Sequence, residues 1–210
     1  MYRRNLRLLV AALSVMVFAF AGAALAQETE PVEEEAFGTP VLIVSVGQSA
    51  GAQQAKVLAI KAGLDYVFEQ RPDLSLLEEK QTLILVMGAS SKGLGAAGVD
   101  IEGEIAWATD LVARARELEM TVIAMHIEGG SRRGPTSDQI ITALTPLADY
   151  IVVKGANPDI EWTESEEANA NADGLFDTIA AEHEIAIAYI AKTLDGVGVL
   201  IDLFGIEATE

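Results

Sequence analysis

The chain has 210 residues, of which 32 are acidic and 14 basic, giving a formal net charge of −18, and it contains no cysteine. Such a surface repels nucleic acid and anionic lipid, and the missing thiols exclude disulfides, thiolate catalysis and a cysteine-linked lipid anchor. Half of the residues are hydrophobic, enough for one domain with a sizeable core.

Arg3, Arg4 and Arg7 precede an uncharged apolar run from Leu8 to Ala24, and Ala24-Leu25-Ala26 stands before Gln27. That order predicts a secretory signal peptide over 1–26. An uncleaved anchor is the alternative, because the run is nearly long enough to span a bilayer. Arg3-Arg4 resembles a twin-arginine signal, while the short n-region favours ordinary Sec export. Cleavage would leave 11 bases against 32 acids, a charge of −21. The expected destination is outside the cytoplasm, periplasmic or extracellular, with no stable membrane insertion of the mature chain. Residues 27–38 (QETEPVEEEAFG) are acidic and Pro-containing, and read as a disordered spacer.

From Thr39 onward, apolar runs alternate with helical patterns. Val41 to Val46, Thr82 to Met87, Thr121 to Ile127 and Tyr150 to Val153 are continuous runs rich in β-branched residues, as in strands buried on both faces. Tyr66 to Phe68 and Ile185 to Tyr189 are shorter candidates. Helices are expected over 51–62, ended by Gly63, and over 101–118, where Ile101, Ile105, Ala108, Val112 and Ala115 form one stripe. Asp100 can cap the second of these, with Glu102 and Glu104 in its first turn. Thr136 or Ser137 can cap a third, which closes at Pro146, and 174–183 and 194–204 supply two more. The alternation predicts an α/β fold, a single doubly wound, mostly parallel sheet of five or six strands with helices on both faces, flavodoxin-like or Rossmann-like. One domain would span 39–206, with an acidic, low-order insertion at 155–172.

In such a sheet ligands bind outside the carboxyl ends of the strands. The loop at 88–98, GASSKGLGAAG, offers backbone amides, Ser90, Ser91 and Lys92, with Gly93 and Gly95 leaving room for an anion. It matches neither a Walker A loop nor a dinucleotide fingerprint, and no cofactor is expected. Tyr150 and Lys154 make a Tyr-x-x-x-Lys match, but inside a strand pattern. Gly47-Gln48-Ser49-Ala50-Gly51 matches G-x-S-x-G between a strand and a helix. Ser49 is there either a cap or ligand contact, or a nucleophile. His126 ends the fourth strand and is either a core residue or a site residue; no second histidine or cysteine at ligand spacing supports a metal.

Lys92, Arg132, Arg133 and Lys154 all fall in loops at one edge of the sheet, although cations are scarce. Arginine forks suit carboxylate or phosphate. The alternative is that the arginines pair with Glu128 or with the acids at 161–167. The segments TPVLIVSVGQSA, GASSKGLGAAGVD and MHIEGGSRRG, followed by ADYIVV and DGLF, resemble an uncharacterised family of exported bacterial α/β proteins known only as a domain of unknown function. The resemblance covers roughly 39–190 and implies an extracytoplasmic Rossmann-like domain, with no activity attached.

The functional expectation is a soluble exported domain that binds a small anionic molecule through Ser49, Ser90, Ser91, Lys92, Gly93, Gly95, His126, Arg132 and Arg133. It could hand that ligand to an envelope transporter or sensor. Two alternatives stand beside it: a hydrolase or transferase using His126 with Ser49 or Ser90, and a non-catalytic interaction module of the cell envelope.

Overall fold

The computed structural model describes residues 36–157, 162 and 164–207. The signal peptide and nearly all of the spacer lie outside the described residues. Phe37, near the end of the spacer, joins the fold: its N–H donates to the Leu203 carbonyl at 2.8 Å, and its ring meets Tyr150 and Phe204 edge-on.

Six strands form one sheet: β1 (Val41–Val46), β2 (Tyr66–Phe68), β3 (Thr82–Met87), β4 (Thr121–His126), β5 (Tyr150–Lys154) and β6 (Ala186–Ile190). Their order is β2-β1-β3-β4-β5-β6 and every neighbouring pair is parallel. All residues of β1 and β3 are buried, which is why these strands read as unbroken apolar runs instead of alternating ones. The period of two sends Leu83, Leu85 and Met87 to one face and Ile84 and Val86 to the other.

The first face is covered by α3 (Ile101–Glu117), α4 (Pro135–Leu144) and α5 (Leu175–His183). The second is covered by α1 (Gly51–Ala62) and α6 (Gly196–Leu203). Gly63 ends α1 in the left-handed region, at φ 72°. The Asp100 carboxylate caps α3 by accepting the Gly103 N–H at 2.8 Å. No helix among the described residues is long and apolar enough to cross a membrane.

Several local expectations change. The glycine-rich stretch after β3 is mostly helical, forming α2 (Ser91–Ala97), capped by Ser90 and ended by Gly98 at φ 68°. Neither Ser49 nor Thr136 nor Ser137 is a helix cap: the cap positions of α1 and α4 are Ala50 and Gly134, without side-chain bonds. Part of the 155–172 segment lies outside the described residues. Its later part carries a 3-10 turn, Glu166–Ala168, and Asn171 is buried, with its side-chain oxygen accepting the Phe176 N–H at 3.0 Å.

The chain leaves β1 for the edge strand β2 and then crosses back to β3 on the other side. The carboxyl ends of β1 and β3 therefore flank the point where strand order reverses, the usual ligand position in open parallel sheets.

Candidate functional site

That position is closed by the protein itself. The Gly88 N–H donates to the Val46 carbonyl at 2.9 Å and the Ser90 N–H to the Gly47 carbonyl at 2.8 Å. Gln48 and Ala89 add an isolated antiparallel bridge. Glu104 of α3, fully buried, fills the remaining space: Oε1 accepts from the Gly47 N–H at 3.0 Å and from Gln48 Nε2 at 2.7 Å, and Oε2 meets Arg71 Nη1 at 2.5 Å. Arg71 in turn lies over the Trp107 ring, 4.5 Å from its centroid. The strained residue of G-x-S-x-G is Gln48, at φ 58°, and not Ser49, so the backbone does not present Ser49 as a nucleophile elbow would.

Packing explains one of the two glycines of α2. A Cβ on Gly93 would run into the Gln48 carbonyl oxygen, whereas one on Gly95 would meet open space. Gly93→Ala is therefore expected to destabilise by about 2 to 3 kcal/mol through overpacking against backbone. Gly95→Ala should stabilise by roughly 0.5 to 1 kcal/mol through helix propensity. Urea melts of the two variants check the opposite signs; equal effects would mean that α2 does not press on Gln48.

Ser49 is nearly buried and its Oγ accepts the Gly51 N–H at 3.3 Å. Beside it lies Glu128. A Cβ on Gly88 would sit 2.8 Å from Ser49 Oγ, 2.9 Å from Glu128 Oε2 and 3.0 Å from Arg132 Cγ, and one on Gly51 would sit 2.8 Å from the same Oε2. Two glycines thus make room for this carboxylate against the first turn of α1, where a helix favours an anion. Glu128 Oε1 pairs with Arg132 Nε at 3.1 Å, while Oε2 is buried without a hydrogen bond.

His126 is completely buried on the face covered by α5, its ring 5.7 Å from that of Phe176. Nδ1 is 2.8 Å from the Met87 carbonyl oxygen and Nε2 is 3.3 Å from that of Gly129. A carbonyl only accepts, so a neutral ring places its proton on Nδ1, the shorter contact. Burial pushes the imidazole below its ordinary 6.5; the two carbonyls pull the other way and are outweighed. Neither nitrogen bonds a serine.

Arg133 is a brace. Nε donates to Asp138 at 2.6 Å, Nη1 to the Ala170 carbonyl and to Asp173, and Nη2 to Asp173 at 2.8 Å. It ties the β4–α4 loop to the chain that precedes α5. Lys154 pairs with Glu164 at 3.2 Å. Lys92 is exposed on α2 and makes no ion pair among the described residues.

Arg132 differs from these. Nε is held by Glu128 and Nη1 donates to the Ala89 carbonyl at 3.2 Å, while Nη2 makes no hydrogen bond among the described residues. The side chain lines a cavity of about 140 Å³ together with Ser91, Ser131, Thr136 and Ser137. The cavity opens at the start of α4, where Pro135 has no N–H and the amides of Thr136 and Ser137 have no intrahelical partner. Ser137 Oγ accepts the Ala89 N–H at 2.9 Å and fixes the opposite wall. Among the described residues no acidic side chain lines this space. Ser91, Arg132 and Arg133 are thus gathered at one cavity. Ser49, Ser90, Gly93 and His126 serve the framework, and Lys92 and Gly95 lie outside the lining.

Sequence reasoning missed Glu104 as part of this region, and named Glu128 only as a partner for the arginines and Thr136 and Ser137 only as helix caps. Glu104 was detectable, because it falls on the Ile101, Ile105, Ala108 stripe, where a carboxylate is out of place. Among the described residues no group of three or more His, Asp or Glu side chains could hold a metal ion.

Residues 38–204 match the family model described as a domain of unknown function, DUF6305. The chain belongs to that family. No curated protein matches this DUF6305 chain. Among solved structures it is similar to a G-D-S-L-family protein of Desulfitobacterium hafniense, at 12% identity and TM-score 0.31, covering 71% of this chain and 75% of that one. It is also similar to the psychrotrophic esterase EstA of a Pseudoalteromonas species, at 13% identity and TM-score 0.28, covering 71% and 76%. Likeness at this level says nothing about activity.

Proposed function

We propose that this DUF6305 protein is exported and binds a small anion, a carboxylate or phosphate, in the cavity between the β3–α2 and β4–α4 loops. The observation that carries the reading is Arg132. Its guanidinium is held at Nε and Nη1 and leaves Nη2 without a hydrogen bond among the described residues, and the side chain lines a cavity with two helix amides, four hydroxyl residues and, among the described residues, no acid. Preorganised donors of this kind bind an anion with little ordering cost. The helix end alone would be a weak attraction; the fixed guanidinium adds charge and direction. Dinucleotide-sized ligands are not favoured, because Glu104 and Gln48 occupy the switch point. A catalytic reading through His126 draws no support from an imidazole whose two nitrogens face backbone carbonyls. Delivery of the ligand to an envelope transporter or sensor is part of the same proposal and rests on the leader sequence.

Thermal shift against phosphate and small carboxylates tests the binding. Ligand at a hundredfold its Kd should stabilise by about 2.7 kcal/mol, a Tm rise of roughly 5 to 10 °C for a chain of this size. The paired variant E128Q/R132Q, which avoids stranding the Glu128 carboxylate, should abolish the rise. A rise that persists in this variant would place the anion elsewhere.

A further inference from the structure

The anion cavity has an apolar neighbour. A trough of about 550 Å³ runs between α3 and α4, floored by Ile101 and Ile105 on one side and by Pro135 and Ala143 on the other. Pro135 also lines the anion cavity, so one residue forms the boundary between the two spaces. From Pro135 to Ala143 the helix advances about 12 Å, and the volume is that of small-molecule sites.

Resting on the anion-binding reading above, we propose that the ligand is an amphiphilic monocarboxylate, with its carboxylate at Arg132 and its alkyl or aryl body in the α3–α4 trough. Charge sets the orientation. Glu102, exposed and without an ion pair among the described residues, lines the trough and would repel an anionic head there. Asp138, the other acid of the lining, is already engaged by Arg133 Nε and by the Gly134 N–H. The acid-free cavity is the place left for the head. A carboxylate suits it better than a phosphate dianion: the Nη2 group and two amides match two oxygens, and a protein of charge −18 repels a dianion more strongly. Ile101 and Ile105 are half-buried and pack on the core beneath, so the trough floor is already in place before a ligand arrives.

Calorimetric titration of the full chain with acetate and with octanoate provides the test. Octanoate adds six methylenes, and each one buried is worth about a fourfold gain in affinity. Burial of half of them predicts octanoate binding about 60-fold tighter than acetate. Ala143→Glu, at an exposed position that the fold tolerates, should bring octanoate back to the acetate level and leave acetate unchanged. E128Q/R132Q should remove both. Equal affinities for acetate and octanoate, both dependent on Arg132, would overturn the trough proposal and leave the anion site standing. Octanoate binding that survives E128Q/R132Q would overturn the placement of the head. Absence of binding by either probe would overturn this proposal and the carboxylate form of the anion reading together, and inorganic phosphate then tests what is left of that reading.

Discussion

Glu104→Ala should lower the unfolding free energy by about 4 kcal/mol, the scale of breaking a buried ion pair by removing one partner. The loss arises mostly at Gly47. Its buried N–H donates to Glu104 Oε1, and no water replaces that acceptor between β1 and β3 without opening the sheet end. Gln48 loses its partner as well while its backbone stays at φ 58°, a conformation that costs energy in any residue but glycine. Arg71 suffers less, because its side chain is 32% exposed and keeps its place over the Trp107 ring. Glu104→Gln should fall between, at about 2 kcal/mol: one oxygen still serves Gly47, but the amide nitrogen turns a donor toward Arg71. Urea denaturation of both variants at neutral pH checks the order. A loss below about 1 kcal/mol for Glu104→Ala would mean that the carboxylate does not hold the switch point closed.

The sheet was legible because parallel strands buried on both faces have no polar alternation to blur them, and all six appear where the apolar runs lie. Strand limits moved by a residue at β4, β5 and β6. The stretch at 88–98 was misread for a physical reason: Gly93, Gly95 and Gly98 speak for a loop, but Ser90 caps and Gly98 terminates a short helix that Gly93 lets press on Gln48. The cap of α4 was misplaced because a hydroxyl near a helix start can also bond a neighbouring loop, as Ser137 bonds Ala89, whereas Ser49 stands one residue before the cap position of α1 and still accepts the Gly51 N–H.

At the proposed site, the scarcity of cations pointed to the same edge of the sheet as the cavity beside Arg132. It could not tell Arg132 from Arg133, since that distinction depends on Asp173 and Ala170, roughly forty residues away in the chain. The pairing of Arg132 with Glu128 was the open alternative for the arginines and it forms, whereas Arg133 pairs with Asp138 and Asp173. Pairing did not remove Arg132 from the site, because a guanidinium has more donors than one carboxylate oxygen can use.

Phe176→Ala tests how the core and this edge are coupled. Phe176 is fully buried on α5, and its ring lies 5.7 Å from that of His126 and 5.8 Å from the Arg133 guanidinium carbon. Removing the ring should cost about 4 kcal/mol through lost burial and a residual cavity. It should also change the response to acid. In the wild type, burial holds the folded His126 below 6.5, so the unfolded chain binds more protons as pH falls through that value. The stability from neutral burial is complete above 6.5 and is lost on acidification toward the folded pKa, with a slope of at most about 1.4 kcal/mol per pH unit. Asp173, whose carboxyl is lowered from 3.8 chiefly by its bond to Arg133, acts in a separate window, since its contribution fades only as pH drops below that value. Melts between pH 7 and 5 therefore report His126. In Phe176→Ala water reaches the imidazole, the folded pKa climbs back toward 6.5, and the acid slope in this range should flatten. An NMR titration of the ring proton follows the same shift directly. A slope that stays unchanged in Phe176→Ala would show that the ring does not keep water from His126.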